Sequence, residues 1–244
     1  MTNKVAGISQ ATAARLAGLI HVFGFPFALF PAFYVWPRIH VPNDAAETAI
    51  NIVASERLFR LGIASELITW ALDVVLLLAL YVLLKPVNRH LALLAAFWRM
   101  IETSILVVTT LFGFVALLVL SGADYLNAFE ANQLAALARL ALAASGIGYD
   151  IGLMFLGLGS AVFAYLFFKS EYVPRALGAW GIFSSLVLLA GALAMVVFPT
   201  WRAILTPGYF APIFIYELTL GFWLLIKGAR IQLNSQERRH VTRS

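Results

Sequence analysis

Several ionisable side chains lie inside stretches of sequence that are otherwise apolar enough to cross a membrane. Glu66 and Asp73 are seven residues apart in the apolar segment 62–84, so two helical turns place both carboxylates on one helix face. An ionised carboxylate in hydrocarbon costs at least about 2.5 kcal/mol, so we expect this face to turn toward the protein interior. Four further ionisable side chains lie deep in apolar segments: His21, Arg99, Glu102 and Glu217.

Counting about 1.5 Å per residue from the predicted cytoplasmic end of each helix sorts these side chains into two tiers. The inner tier lies about 15–21 Å deep, near mid-membrane, and contains His21, Asp73, Arg99, Glu102 and Glu217. The outer tier lies about 28 Å deep and contains Glu66 and Asp150, with Arg57, Arg60 and Tyr149 close by.

The inner tier has the composition of a binding or proton-relay site. Its three carboxylates face one guanidinium, so either one carboxylate carries a proton or a cation is bound. Asp73 and Glu217 would then titrate, while Arg99 would hold an anion or fix the carboxylates. The alternative is structural, because Arg99 and Glu102 can pair at i,i+3 on one helix and Asp73 can complete a triad. The residue types leave both interpretations open.

The outer tier and His21 have simpler expected roles. Glu66 and Asp150 fall in the first turns of their predicted spans, where acids interact favourably with the helix dipole and can pair with Arg57 or Arg60. His21 is alone on an apolar face, which favours a hydrogen-bonded packing role. Tyr149 is expected to contribute packing more than chemistry.

Several classes of protein are excluded. The chain has no Cys, so it forms no disulfide, thiolate metal ligand or thiol nucleophile. Its four His lie far apart, without the paired spacing of a zinc hydrolase, and no phosphate-cradling loop is present. We therefore expect no metal and no cofactor. The formal charge of +5 comes mostly from short loops and the tail, where it sets membrane topology and does not indicate nucleic-acid binding.

The composition indicates an all-α membrane protein. Of the 244 residues, 62% are hydrophobic and 12% are charged, against about 25% charged residues in a typical soluble domain. The hydropathy pattern predicts a polytopic bundle of six transmembrane helices, at 12–36, 56–85, 91–120, 147–168, 175–198 and 208–233. Gly24, Pro26 and Pro31 are expected to kink the first span. Two short interfacial helices are predicted at 45–55 and 130–144, with Asn43 or Asp44 capping the former.

One membrane domain, 1–233, is followed by a polar tail, 234–244. The positive-inside rule places both termini in the cytoplasm of a plasma-membrane protein. The basic residues on that side are Lys4, Arg15, Lys85, Arg89, Lys169, Arg175, Lys227, Arg230, Arg238, Arg239 and Arg243. Those near the opposite side are Arg38, Arg57, Arg139 and Arg202. The lipid bilayer is the expected partner, and the oligomeric state stays open.

The second and fourth predicted spans match each other at one constant offset. The matching sets are Gly62, Ile63, Glu66, Tyr81 and Lys85, and Gly146, Ile147, Asp150, Tyr165 and Lys169. Each span follows an amphipathic segment and turns through a proline and an arginine into the next. This pattern predicts an internal repeat of a helical hairpin, with halves at about 44–121 and 127–198.

Six short motifs carry a resemblance to a known family. They are ARLAGLI (14–20), NIVASERLFRLG (51–62), KPVN (85–88), YDIG (149–152), PRALG (174–178) and ELTLGFWLLIKG (217–228). In these motifs the chain resembles the bacterial multi-pass membrane family catalogued as domain of unknown function 4386. The resemblance implies a prokaryotic membrane location and carries over no activity or catalytic residue. Members often have Tyr after the opening motif, where this chain has His21.

Three functions remain open. The first is binding or translocation of a small solute or proton through a pocket lined by Asp73, Arg99, Glu102 and Glu217. The second is a membrane enzyme that acts on a lipid or isoprenoid with a carboxylate as general acid or base. The third is a non-catalytic assembly or accessory protein. A cavity open to water favours the first, one open to lipid the second, and none the third.

Overall fold

The computed structural model describes residues 8–230, with the backbone alone for residues 201–207. All of its regular structure within these residues is helical, which confirms the predicted fold class. The helices are α1 (Gln10–Phe30), α2 (Trp36–Ile39), α3 (Ala45–Ala54), α4 (Glu56–Leu84), α5 (Arg89–Val119), α6 (Ala131–Ser170), α7 (Arg175–Val197) and α8 (Arg202–Ile226). Outside the described residues lie the predicted tail 234–244, the predicted end of the last span, Lys4, Arg238, Arg239 and Arg243.

Within residues 8–230, six helical stretches are long and apolar enough to cross a membrane, as predicted. They are Gln10–Ile39, Glu56–Leu84, Arg89–Val119, Ala131–Ser170, Arg175–Val197 and Gly208–Ile226. Because the number of spans is even, Gln10 and Ile226 lie at the same end of the bundle. We call this the Lys85 end, after the loop between α4 and α5, and the opposite one the Trp36 end.

The first span changes helix type near its C-terminal end. α1 stops at Phe30, a π-helical turn follows at Pro31–Val35, and α2 then completes the span. Pro26 lies inside α1 without ending it. Proline cannot donate to the i−4 carbonyl, and membrane helices tolerate it through such local adjustments. Of the three expected sites of irregularity, Pro31 is the one at which the helix type changes.

The separation of 130–144 from 147–168 was wrong, because α6 is one helix of 40 residues. It starts at a capping box in which Glu130 and Gln133 satisfy each other's backbone N–H groups, and an alanine-rich run follows. Gly146 and Gly148 lie within this helix, where an internal glycine costs only about 1 kcal/mol. A Cβ at Gly148 would lie 2.6 Å from Thr109 Cγ2, so glycine is needed there for close packing on α5. The other predicted interfacial segment, 45–55, is observed as the short helix α3, and Asp44 caps it as expected. The location of α3 at a membrane interface stays a prediction.

The bundle has two apolar cores. The larger one lies toward the Lys85 end and includes Leu83, Leu188 and Leu224, all fully buried. The smaller one lies at the Trp36 end, where α3 packs on the extended start of α6, and includes Ile52 and Phe59. Polar side chains of α4, α5 and α6 are also buried in the interior of the bundle.

One detail matches between the proposed repeats. Lys85 Nζ lies 5.9 Å from the Tyr81 ring centroid, and Lys169 Nζ lies 5.8 Å from the Tyr165 ring centroid. Both lysines therefore extend over an aromatic ring at the same helix end. The internal repeat itself stays a prediction.

Candidate functional site

The predicted inner tier converges on the guanidinium of Arg99 in α5. Arg99 Nη2 lies 2.7 Å from Oδ1 of Asp73 on α4, and Nε lies 3.2 Å from Oε2 of Glu102 on α5. Arg99 Nη1 lies 3.9 Å from Oε1 of Glu217 on α8. Three spans thus bring three carboxylates to one cation. We call these four residues the Arg99 network.

Two hydroxyl groups extend the network. Arg99 Nη1 donates to Oγ of Ser160 on α6 at 3.2 Å, and Thr103 Oγ1 donates to Asp73 Oδ2 at 2.7 Å. Both oxygens of Asp73 are therefore engaged, which makes Asp73 the most firmly held of the three carboxylates. Sequence reasoning missed both hydroxyls. The available signal for Thr103 was its position four residues after Arg99, on the same helix face.

The burial of the network differs among its members. Glu102 and Arg99 are 2% and 6% exposed, whereas the side chain of Glu217 is 24% exposed. Arg99 Nε and Glu102 Oε2 are close enough for an ion contact, yet neither atom has a hydrogen-bond partner within residues 8–230. Glu217 is thus the most accessible carboxylate, and Glu102 the most enclosed.

A glycine makes room for the arginine. A Cβ at Gly159 would lie 2.6 Å from Arg99 Cγ and 3.0 Å from the carbonyl oxygen of Ala95. The aliphatic part of Arg99 therefore crosses α6 where α6 has no side chain. The position of the guanidinium depends on this contact.

We expect Gly159→Ala to displace Arg99 and to lower the free energy of unfolding by about 1–3 kcal/mol, the usual cost of overpacking. Gly146→Ala is the matched control on the same helix, because a Cβ there meets nothing within 4 Å. Denaturant unfolding in detergent micelles measures both. Equal stability of the two variants would show that Arg99 moves aside freely.

A small cavity adjoins the network. It is lined by His21, Leu76, Leu80, Arg99, Ser160, Phe163, Phe167, Tyr216, Glu217 and Leu220. Its volume of about 20 Å³ is enough for about one water molecule. His21 Nδ1 donates to the carbonyl oxygen of Ala17 at 2.9 Å, so the ring is hydrogen-bonded within α1, as its packing role predicts.

The outer tier is arranged differently from expectation. Arg60 pairs with Glu56 at 2.7 Å on the surface, Arg57 is exposed, and Glu66 instead accepts a hydrogen bond from Trp36 Nε1 at 3.4 Å. α4 starts at Glu56, ten residues before Glu66.

Asp150 also lies far from a helix end. α6 starts at Ala131, 19 residues earlier, and Asp150 is 4% exposed. Tyr149 beside it is half-buried. Neither outer carboxylate therefore lies in a first helical turn, and the helix-dipole explanation was wrong for both.

Comparison with known proteins gives a family and a distant relative. The family model described as "Domain of unknown function (DUF4386)" matches residues 16–228. An uncharacterized protein of Archaeoglobus fulgidus is 26% identical over 164 residues, which cover 66% of this chain and 79% of that protein. No solved structure matches the chain. The relative is archaeal, so a bacterial origin stays a prediction.

Proposed function

This chain belongs to the DUF4386 family, and since that description names no activity, we propose a function from the Arg99 network: the protein binds and moves a proton or another small solute across the membrane. The supporting observation is the gathering of three carboxylates around one guanidinium. Fully ionised, this group carries a net charge of −2 in a low-dielectric interior. Binding a proton or a cation lowers that cost.

The size of the adjoining cavity favours the proton among these solutes. A volume of about 20 Å³ accommodates one water molecule and excludes an organic solute in this conformation. Water beside a carboxylate is sufficient to bring a proton to it or to carry one away. Glu217 lines this cavity and is the most accessible member of the network.

The members of the network have distinct proposed roles. Glu217, whose carboxylate is 3.9 Å from Arg99, exchanges protons with water in the cavity. Asp73 is held at 2.7 Å by both Arg99 and Thr103, and it takes the proton when Arg99 moves. Arg99 holds the carboxylates in place, because its positive charge offsets the repulsion among their negative charges.

The proposed topology places the Lys85 end in the cytoplasm. Lys85, Arg89, Lys169 and Arg175 lie at or next to the helix ends on that side, and the positive-inside rule favours this orientation. Both ends of the described chain then face the cytoplasm of a prokaryotic cell. One domain and its polar tail make up the proposed organisation.

Proton flux into proteoliposomes tests the function. With a pH-sensitive dye trapped inside and an imposed pH gradient, we expect the wild-type protein to dissipate the gradient. Glu217→Gln should reduce the rate to that of protein-free liposomes. Glu171→Gln, which removes an exposed carboxylate paired with Arg175, should retain the wild-type rate. A wild-type rate in Glu217→Gln would reject the proposed role of the network.

A non-catalytic assembly role is the second candidate. It is favoured by the ion contacts of Arg99, whose three guanidinium nitrogens each lie within 4 Å of a carboxylate oxygen, and by the small cavity. This role predicts no flux in the wild-type protein while substitutions in the network still lower stability. A lipid or isoprenoid enzyme has less support, because an acyl chain is far larger than the cavity beside the network.

A further inference from the structure

The interior face of α4 carries polar groups from the outer tier to the Arg99 network. Glu66, Trp70 and Asp73 lie at positions i, i+4 and i+7, so they follow one another along one face over about 10 Å. Glu66 is at the end of this stripe nearer the Trp36 end of the bundle, and Asp73 is in the network. The stripe therefore spans the distance between the two tiers.

The position of Glu66 lacks an explanation from helix stability. It is ten residues inside α4, and the nearby arginine Arg60 is paired elsewhere with Glu56. Its hydrogen-bond donor is the indole N–H of Trp36, which is a neutral group. A carboxylate placed within an apolar span without a cationic partner is expensive and is characteristic of ion and proton pathways.

Glu66 interacts with side chains from two other helices. The Trp36 indole faces it from α2, and Tyr149 lies within electrostatic range of it from α6. Tyr149 is also within electrostatic range of Glu102 on α5, Asp150 on α6 and Tyr209 on α8. Tyr149 thus interacts electrostatically with carboxylates of both tiers.

Two buried polar atoms lie in the same part of the bundle, one on α4 and one on α5. Trp70 Nε1 and Glu102 Oε2 have no hydrogen-bond partner within residues 8–230. Leaving a buried donor or acceptor unpaired costs about 1–3 kcal/mol, and bound water usually satisfies such groups. A donor on α4 and an acceptor on α5 are the two kinds of group that a relaying water needs.

We propose that Glu66 is the port through which protons enter from the Trp36 end, and that water held along the Glu66–Trp70–Asp73 stripe carries them to the Arg99 network. A proton from bulk water binds a Glu66 carboxylate oxygen and neutralises it. The proton then passes to water, which gives one to a carboxylate of the network, and Glu66 regains its negative charge. This inference rests on the proposed function and adds the side from which the site is reached.

The fluorescence of Trp36 tests access to Glu66 without requiring transport. Protonation of Glu66 removes a negative charge next to the indole that donates to it. The Trp36 signal is the difference in fluorescence between the wild type and Trp36→Phe. In proteoliposomes of known orientation, we expect a pH change on the Trp36 side alone to change this signal. The response should be absent from Glu66→Gln and retained in Glu66→Asp and in Glu47→Gln, an exposed acid on α3.

Flux in the same liposomes separates this inference from the proposed function. If the wild type moves protons, the proton flux of Glu66→Gln should fall to that of protein-free liposomes, while Glu47→Gln should keep the wild-type flux. If the wild type moves none, the proposed function is overturned, and the Trp36 signal still decides whether protons reach Glu66. If the Trp36 signal does not change with pH on the Trp36 side, or if its change persists in Glu66→Gln, the proposed role of Glu66 as the port is overturned, whatever the proton flux.

Discussion

Replacing Arg99 with methionine is expected to lower the free energy of unfolding by about 3–5 kcal/mol, the cost of leaving buried charges without their partner. Methionine keeps the unbranched stem that crosses Gly159 but removes the guanidinium from Asp73, Glu102 and Glu217. The three carboxylates would then face one another in an interior that excludes most water. Denaturant unfolding of the purified variant in detergent micelles measures the loss.

Arg60→Met is the matched control for this substitution. Arg60 forms an equally short ion pair with Glu56, at 2.7 Å, but both side chains are 52% exposed. Exposed pairs contribute only about 0–1 kcal/mol, so this variant should unfold close to the wild type. Adding Asp73→Asn to Arg99→Met should restore part of the stability, since one of the unpaired charges is removed. Similar losses in Arg99→Met and Arg60→Met would contradict the buried network.

Gly18→Ala is expected to be the most damaging single-methyl addition in α1. The new Cβ would clash with the backbone nitrogen of Leu225 and would lie 2.8 Å from the carbonyl oxygen of Gly221. Because these are backbone atoms, no side-chain rotation relieves the clash, and α1 and α8 must separate. We expect a loss of about 1–3 kcal/mol or more, measured by the same unfolding assay.

Gly24→Ala provides the comparison on the same helix. A Cβ at Gly24 would approach only Leu72 Cδ1, at 3.9 Å, which is an ordinary van der Waals contact. Alanine also favours helix over glycine by about 1 kcal/mol, so this variant should equal or exceed the wild type in stability. If Gly18→Ala were as stable as the wild type, α1 and α8 would have to lie farther apart than they do in the structure.

The inner tier could be predicted because one physical constraint governs all its members. A charge inside an apolar helix must turn inward, and a fixed rise per residue sets its depth. Asp73, Arg99 and Glu217 were therefore expected at similar depths, and the structure places both carboxylates within 4 Å of the Arg99 guanidinium. His21 was assigned to the same level by the same reasoning, and it lines the adjoining cavity.

The outer tier could not be predicted by this reasoning. The partner of Glu66 is Trp36, thirty residues earlier in the chain. Trp36 follows a change of helix type that the periodicity of the sequence does not predict. Ser160 reaches Arg99 from another span, and an isolated serine gives no signal of this. The continuity of α6 through Gly146 and Gly148 was not predicted either, and the glycine at position 148 is required by close packing on α5. Long-range contacts of neutral groups decided each of these cases.

The π-helical turn at Pro31–Val35 has a geometric consequence for Trp36, which follows it directly. A π-helical turn takes up one residue more than an α-helical turn, so every later side chain is rotated about 100° around the axis. Without that extra residue, the indole of Trp36 would point away from α4. The phase of the backbone, more than the choice of side chain, therefore determines whether this nitrogen meets the Glu66 carboxylate, and deleting one residue from 31–35 would break the contact with both partners still present.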